Sequence, residues 1–262
     1  AEFIRTGYDC RPIWKTPNLK DPWGGVDALT NTIRRFYAFP HQYQPDPDCA
    51  YFGHGETYAR WGVKDKFPAI TRDQSIAWLT GAALCGGAVK IGDAFVDLKP
   101  DEVDILRRIL PAPPRPARPL DLFDEKSPRI WSLPLDTSGG SWLFVGLFNW
   151  DADAPVDIPV SSGLLSLDPN AYYTVFDFWA GCYRGTFHGE LSVNVKPGSV
   201  RFFGLRRAED KPMFVASDHH LLQGALDQHD IAWDAATGTL SGAFTAIADT
   251  PYTLWFMAPE KY

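Results

Sequence analysis

Residues 88–119 read AVKIGDAFVDLKPDEVDILRRILPAPPRPARP, and within that stretch the chain changes character. AVKIG, residues 88–92, has the short apolar run of a buried strand. Pro100 then occupies the first turn of a helix, where its fixed φ and missing N–H do no harm, and Val103, Leu106 and Leu110 form the helix's apolar stripe. Five prolines follow within residues 111–119, where they fix φ, remove backbone donors and forbid a helix. These features predict a strand-and-helix part over residues 1–110, a semi-rigid linker over 111–119 and a second part over 120–262.

Upstream of the linker the strand-then-helix pattern recurs. Residues 3–6 form a short strand, and residues 26–37 carry Val26, Leu29, Ile33 and Phe36 at helical spacing. A second strand lies around Cys49–Phe52. Thr71 and Gln74 then make a capping box that opens the helix QSIAWLTGAALC, which Gly86 and Gly87 end. With AVKIG and the Pro100 helix this makes three βα units, and alternating strands and helices imply a parallel sheet. About 250 residues complete a (β/α)8 barrel, so three units leave an open edge. The expectation is that further strands of the same protein precede residue 1, in keeping with a first residue other than Met.

Downstream, short strands alternate with turns: PRIWSLPL, SWLFVGLFNW, VDIPV, YYTVFDFW, SVNVKPG, VRFFGLRR, MFVAS, TLSGAFTA and TPYTLWFMAP. Gly, Pro, Asp and Asn punctuate them at the spacing of an antiparallel β-sandwich. The fold class is therefore α/β followed by all-β.

Composition narrows the function. The 262 residues are 45% hydrophobic and 22% charged, enough to bury a core. A net charge of −7 with scattered Lys and Arg argues against nucleic acid, and no run is apolar enough to span a bilayer. Cys10, Cys49, Cys85 and Cys182 lack metal or disulfide spacing and read as thiols, which leaves the compartment open between cytoplasm and export. His219, His220 and His229, with Asp218, lie in the sandwich without the spacing of a zinc site. No metal and no cofactor is implied.

Chemistry in a parallel βα architecture gathers where strands end, and Asp9, the pair Asp46 and Asp48, and Asp93 fall there. Converging carboxylates suit glycoside cleavage, although aspartates also cap helices and end strands. Trp14 and Trp23 lie in the loop after Asp9, where an indole face either stacks on a sugar ring or packs between elements.

RTGYDCRPIW, then PDPDC, then TRDQSIAWLTGAALCGGAVKIGD, in this order, resemble the closing strands of the clan D α-galactosidases, the melibiase-like glycoside hydrolases. The resemblance covers residues 1–110, and a following β-sandwich fits that family. It implies the last three βα units of a barrel, a retaining two-step displacement on an α-galactoside or related α-glycoside, and an R-x-x-x-D element supplying a substrate-binding arginine, Arg5, and the acid/base, Asp9. Trp14 is a further substrate-binding candidate. The family's Asn-Asp-Pro-Asp element stands here as Pro45-Asp46-Pro47-Asp48, a departure that removes an amide near the sugar and argues against direct sugar contact by this segment; Asp48, grouped with the substrate-binding residues, either orients Arg5 through a charge-assisted hydrogen bond or makes a structural turn. The resemblance places the nucleophile upstream of residue 1, which makes the N-terminal half of the same protein the implied partner; self-association into a homo-oligomer is compatible with it. The rival reading is a non-catalytic carbohydrate-binding or assembly module with a remnant half-barrel.

Overall fold

Capping and periodicity place the helices, and pairing between distant segments places the strands. The computed structural model describes residues 2–16, 22–39, 41–62 and 66–260. The chain runs through β1 (Phe3–Arg5), α1 (Gly25–Ile33), β2 (Gln44–Asp46), β3 (Cys49–Ala50), α2 (Gly55–Trp61), α3 (Arg72–Leu84), β4 (Lys90–Ile91) and α4 (Pro100–Ile109). After these come β5 (Arg118–Pro119), β6 (Ile130–Thr137), β7 (Gly140–Phe148), β8 (Val156–Ser161), β9 (Tyr173–Asp177) and β10 (Cys182–Phe187). The remainder is β11 (Glu190–Val195), β12 (Val200–Arg207), β13 (Met213–Ser217), β14 (Gln228–Asp234), β15 (Thr239–Phe244) and β16 (Leu254–Met257).

Two compact units result. One comprises residues 1–131, 147–157 and 194–200, and the other comprises 132–146, 158–193 and 201–262.

In the first unit the strands pair in parallel, β1 with β2 and β3 with β4, and Arg5 stands opposite Asp46. α3 opens with the expected reciprocal cap: Gln74 N–H donates to Thr71 Oγ1 at 3.2 Å, and Thr71 N–H donates to Gln74 Oε1 at 2.9 Å. It closes at Gly86, whose φ of 72° is the left-handed conformation a helix C-terminus uses. α1 packs on α3 so closely that a Cβ on Gly25 would lie 2.4 Å from the Trp78 ring. Leu29, Ile33, Tyr51, Trp78, Ile105 and Ile109 are the buried centre.

Several elements depart from expectation. The strand expected at 49–52 is two, β2 and β3, because Asp48 takes φ 67° and turns the chain between them. AVKIG, expected to be buried, is strand only at Lys90–Ile91, with Lys90 exposed; among the described residues β4 pairs with β3 alone. α1 stops at Ile33, short of 37, and α2 has no counterpart in the expectations.

The second unit is antiparallel. One sheet has the strand order β10-β9-β12-β7-β6, and β8–β11, β13–β16 and β14–β15 form two-stranded ladders. Strands β10 and β14 were not expected, since CYRGTF and QHDIAWD lack a clean apolar alternation. Buried Phe144 stacks on Phe202 at 6.0 Å in the interior, and buried Phe176 meets the half-buried Trp255 at 4.4 Å. Asp177 is fully buried and accepts from Arg201 Nε at 2.8 Å and Arg184 Nη2 at 3.3 Å. His220 Nδ1 accepts from Leu222 N–H, His229 bonds Thr245, and Asp218 accepts from Thr253 N–H. Among the described residues no helix is long and apolar enough to cross a membrane.

Candidate active site

The parallel pairing of β1 with β2 brings together residues some forty positions apart. Arg5, at the C-terminal end of β1, reaches three carboxylates: its Nη1 donates to Asp9 Oδ1 at 2.8 Å, its Nη2 lies 3.0 Å from Asp48 Oδ1, and its Nε lies 3.5 Å from Asp46 Oδ2. A planar fork with five donors is suited to this; an ammonium group is not.

The three aspartates differ in environment. Asp9 is open, its side chain 80% exposed. Asp46 and Asp48 are buried and their oxygens are taken: Asp48 Oδ2 accepts from Cys10 N–H at 2.6 Å, Asp46 Oδ1 accepts from Asp48 N–H at 2.9 Å, and Asp46 Oδ2 pairs with Lys90. Asp48 therefore binds both ends of the β1 turn, through the Arg5 side chain and the Cys10 backbone. Tyr51 Oη, just past the end of β3, donates to Cys10 O at 3.1 Å and holds the same turn.

Charge follows geometry. Burial works against the Arg5 cation, but Asp48, the hydrogen bond to Asp9 and Asp46 outweigh it and raise its pKa. Burial raises the Asp46 carboxyl, but Lys90, Asp48 N–H and Arg5 bring it below the ordinary carboxylate value. The thiols on either side are pushed the other way. Burial, with Asp48 nearby, holds Cys49 at about 11 and Cys10 well above its usual value, so neither is a nucleophile.

Of the sequence candidates, Arg5, Asp9 and Asp48 come together. Trp14 does not join their hydrogen bonds; it is 6% exposed, with its ring 5.9 Å from that of Trp150. Trp23 carries the Arg11 guanidinium 3.6 Å above its ring. Asp93 braces the start of α2, accepting from Phe52 N–H at 2.6 Å, His54 N–H at 3.2 Å and Thr57 Oγ1 at 2.9 Å. Lys90 and the buried role of Asp46 escaped the sequence reading. The signal for Lys90 was a single charge inside the apolar run AVKIG.

An exposed carboxylate on an arginine that two buried carboxylates orient is able to exchange a proton with a bound hydroxyl or ether oxygen while the arginine holds neighbouring hydroxyls. Residues 125–205 match the family model described as the alpha-galactosidase C-terminal beta-sandwich domain. The chain carries a domain similar to the α-galactosidase C-terminal β-sandwich.

Solved structures agree in fold. α-Galactosidase I from Mortierella vinacea superposes with a TM-score of 0.61 at 12% identity, over 78% of this chain and 53% of that one. A GH27 β-L-arabinopyranosidase from Geobacillus stearothermophilus gives 0.62 at 19%, over 80% and 46%. The α-galactosidase of Saccharomyces cerevisiae gives 0.59 at 14%, over 79% and 60%. The chain thus spans about half the length of the structures it matches. No curated protein sequence matches it.

Proposed function

We propose that this chain is the C-terminal portion of a retaining glycoside hydrolase that cleaves α-galactosides or related α-glycosides by double displacement. On this reading β1 to β4 with their helices are the last βα units of a (β/α)8 barrel, and residues 111–119 connect them to the sandwich. Asp9 is the acid/base: it protonates the departing glycosidic oxygen, then takes a proton from the water that cleaves the glycosyl-enzyme ester. Arg5 holds sugar hydroxyls, and Asp48 keeps Arg5 and the Asp9 turn in place. The observation that carries the reading is the Arg5 fork, bonded at once to exposed Asp9 and buried Asp48.

The attacking carboxylate belongs to the part of the enzyme outside these residues. Asp46 and Asp48 are unsuited to that role, since both are buried with their oxygens committed to Arg5, Lys90 and backbone N–H groups. The share of the matched structures that this chain leaves uncovered is consistent with a contribution from elsewhere.

The test is turnover of aryl α-galactosides by the chain joined to its N-terminal portion. Asp9→Asn is expected to lower the rate on a poor leaving group by about 10²–10⁴-fold and to spare nitrophenolate, which departs without a proton, in the first step. An undiminished rate on the poor leaving group refutes the assignment.

A further inference from the structure

Lys90 belongs to the Arg5 cluster but has no part in the displacement proposed above. Its backbone is fixed on two sides: Ala88 N–H donates to Pro45 O at 3.0 Å, and the β3–β4 register sets Lys90 opposite Cys49. From there its Nζ donates to Asp46 Oδ2, the same oxygen that lies 3.5 Å from Arg5 Nε. Two cations share one oxygen of a buried carboxylate, and Lys90 makes the closer contact.

The charges leave little slack. Asp46 Oδ1 is taken by Asp48 N–H, so among the described residues Lys90 and Arg5 are the side chains that meet Oδ2. Burial raises the Asp46 carboxyl, and the hydrogen bond from Lys90 is the largest effect that offsets it. A buried carboxylate stripped of its partner is costly, and the cation placed to replace Lys90 is Arg5. At 3.5 Å its Nε stands about 0.6 Å beyond an ordinary N–H···O distance of about 2.9 Å. The guanidinium is a rigid plane, so closing that gap displaces Nη1 from Asp9 Oδ1, to which it donates at 2.8 Å.

Three roles for Lys90 can be told apart. A lysine that bonds the sugar acts through its own ammonium. One that only stabilises the fold leaves the kinetics alone. One that satisfies Asp46 acts on Arg5, and does so only while Asp46 is charged. The oxygen shared by Lys90 and Arg5 favours the third. We propose that Lys90 is a positioning residue: by satisfying Asp46 Oδ2 it keeps Arg5 from closing on that carboxylate and leaves the guanidinium fork on Asp9 and Asp48. The kinetic consequence rests on the glycosidase reading, in which Arg5 holds sugar hydroxyls; the placement of Arg5 by Lys90 does not.

The experiment uses the chain joined to its N-terminal portion, with nitrophenyl α-galactoside as substrate. A displacement of several tenths of an ångström is expected to raise KM about tenfold in Lys90→Met. The change in kcat stays below about threefold, since nitrophenolate departs without a proton from Asp9. Adding Asp46→Asn removes the charge that would capture Arg5 and is expected to return KM to within about threefold of wild type. A second readout needs no turnover. With isotope-labelled arginine, the Arg5 Nε–H signal, identified by its loss in Arg5→Lys, is expected to move downfield in Lys90→Met as the bond to Asp46 shortens, and to return in the double variant. If Lys90→Met does not fold, Lys90→Gln carries the same expectations. An unmoved Nε–H signal, an unchanged KM in an active enzyme, or a KM defect that Asp46→Asn does not relieve overturns the proposal. Movement of the signal in a joined enzyme that turns over no α-galactoside would refute the glycosidase reading alone. Asp9-dependent turnover with KM and signal both unmoved would refute the role of Lys90 alone.

Discussion

Asp48 is the residue on which the candidate site turns, and its substitution gives a graded prediction. Three effects separate at this position. Removing the carboxylate leaves the buried Cys10 N–H, now 2.6 Å from Asp48 Oδ2, without an acceptor, at a cost of about 1–3 kcal/mol. A Cβ-bearing residue without a local hydrogen-bonding side chain is strained at φ 67°, by about 1–2 kcal/mol. The Arg5 pair contributes about 0.5 kcal/mol, discounted because the Arg5 side chain is 37% exposed. Asp48→Ala suffers all three and is expected to lose about 3–4 kcal/mol. Asp48→Gly escapes the strain but adds unfolded-state entropy, for a loss of about 2–3 kcal/mol. Asp48→Asn keeps an acceptor and tolerates the left-handed conformation, for about 1 kcal/mol. Urea unfolding followed by tryptophan fluorescence should order the variants Ala, Gly, Asn from least to most stable, with unchanged slope. Equal losses for Ala and Asn would refute the proposed bond to Cys10 N–H, and equal losses for Ala and Gly would refute the strained turn.

Three further outcomes are expected. Gly87→Ala places a Cβ 1.9 Å from Pro45 O; backbone cannot yield as a side-chain tip does, so a loss of about 2–3 kcal/mol in the unfolding midpoint is expected, and none would show the approach to be looser. Lys90→Met removes a partner that lowers the Asp46 pKa. That stabilisation is present above the unfolded carboxylate value of about 3.9 and is lost as pH falls through the lower folded value, so the difference from wild type in urea should be clear at pH 6 and shrink as the pH falls below the unfolded value; a pH-independent difference would count against the pair. Arg201→Ala strips the buried Asp177 of its closest partner, with an expected loss of about 3 kcal/mol that Asp177→Asn in the same background should partly restore.

Much of the local structure was legible from residue order. The Thr71–Gln74 box, Pro100 at a helix start and Gly86 at a helix end each describe an interaction within a few positions, and each appears as read. Strands with clean alternation were equally plain. CYRGTF and QHDIAWD were not, because their few apolar residues do not alternate along the whole segment, and pairing with β9 and β15 makes them strands. α2 escaped for a related reason: GETYARW makes only about two helical turns, held at its start by the distant Asp93.

The candidate site divides the same way. The Arg5-x-x-x-Asp9 spacing is a property of the sequence, and so is the presence of carboxylates near strand ends. Which carboxylate would be exposed and which two would be buried was decided by the β1–β2 register, which sets Arg5 opposite Asp46 and lets Asp48 close on Cys10. Trp14 shows the same limit, since its residue type suits either a stacking face or a packed wall, and its position against Trp150 makes it the wall. A sequence determines what lies within hydrogen-bond reach along one element, because backbone geometry carries that information. It does not specify which distant segments share a register, because that follows from hydrogen bonding and burial summed over the folded unit.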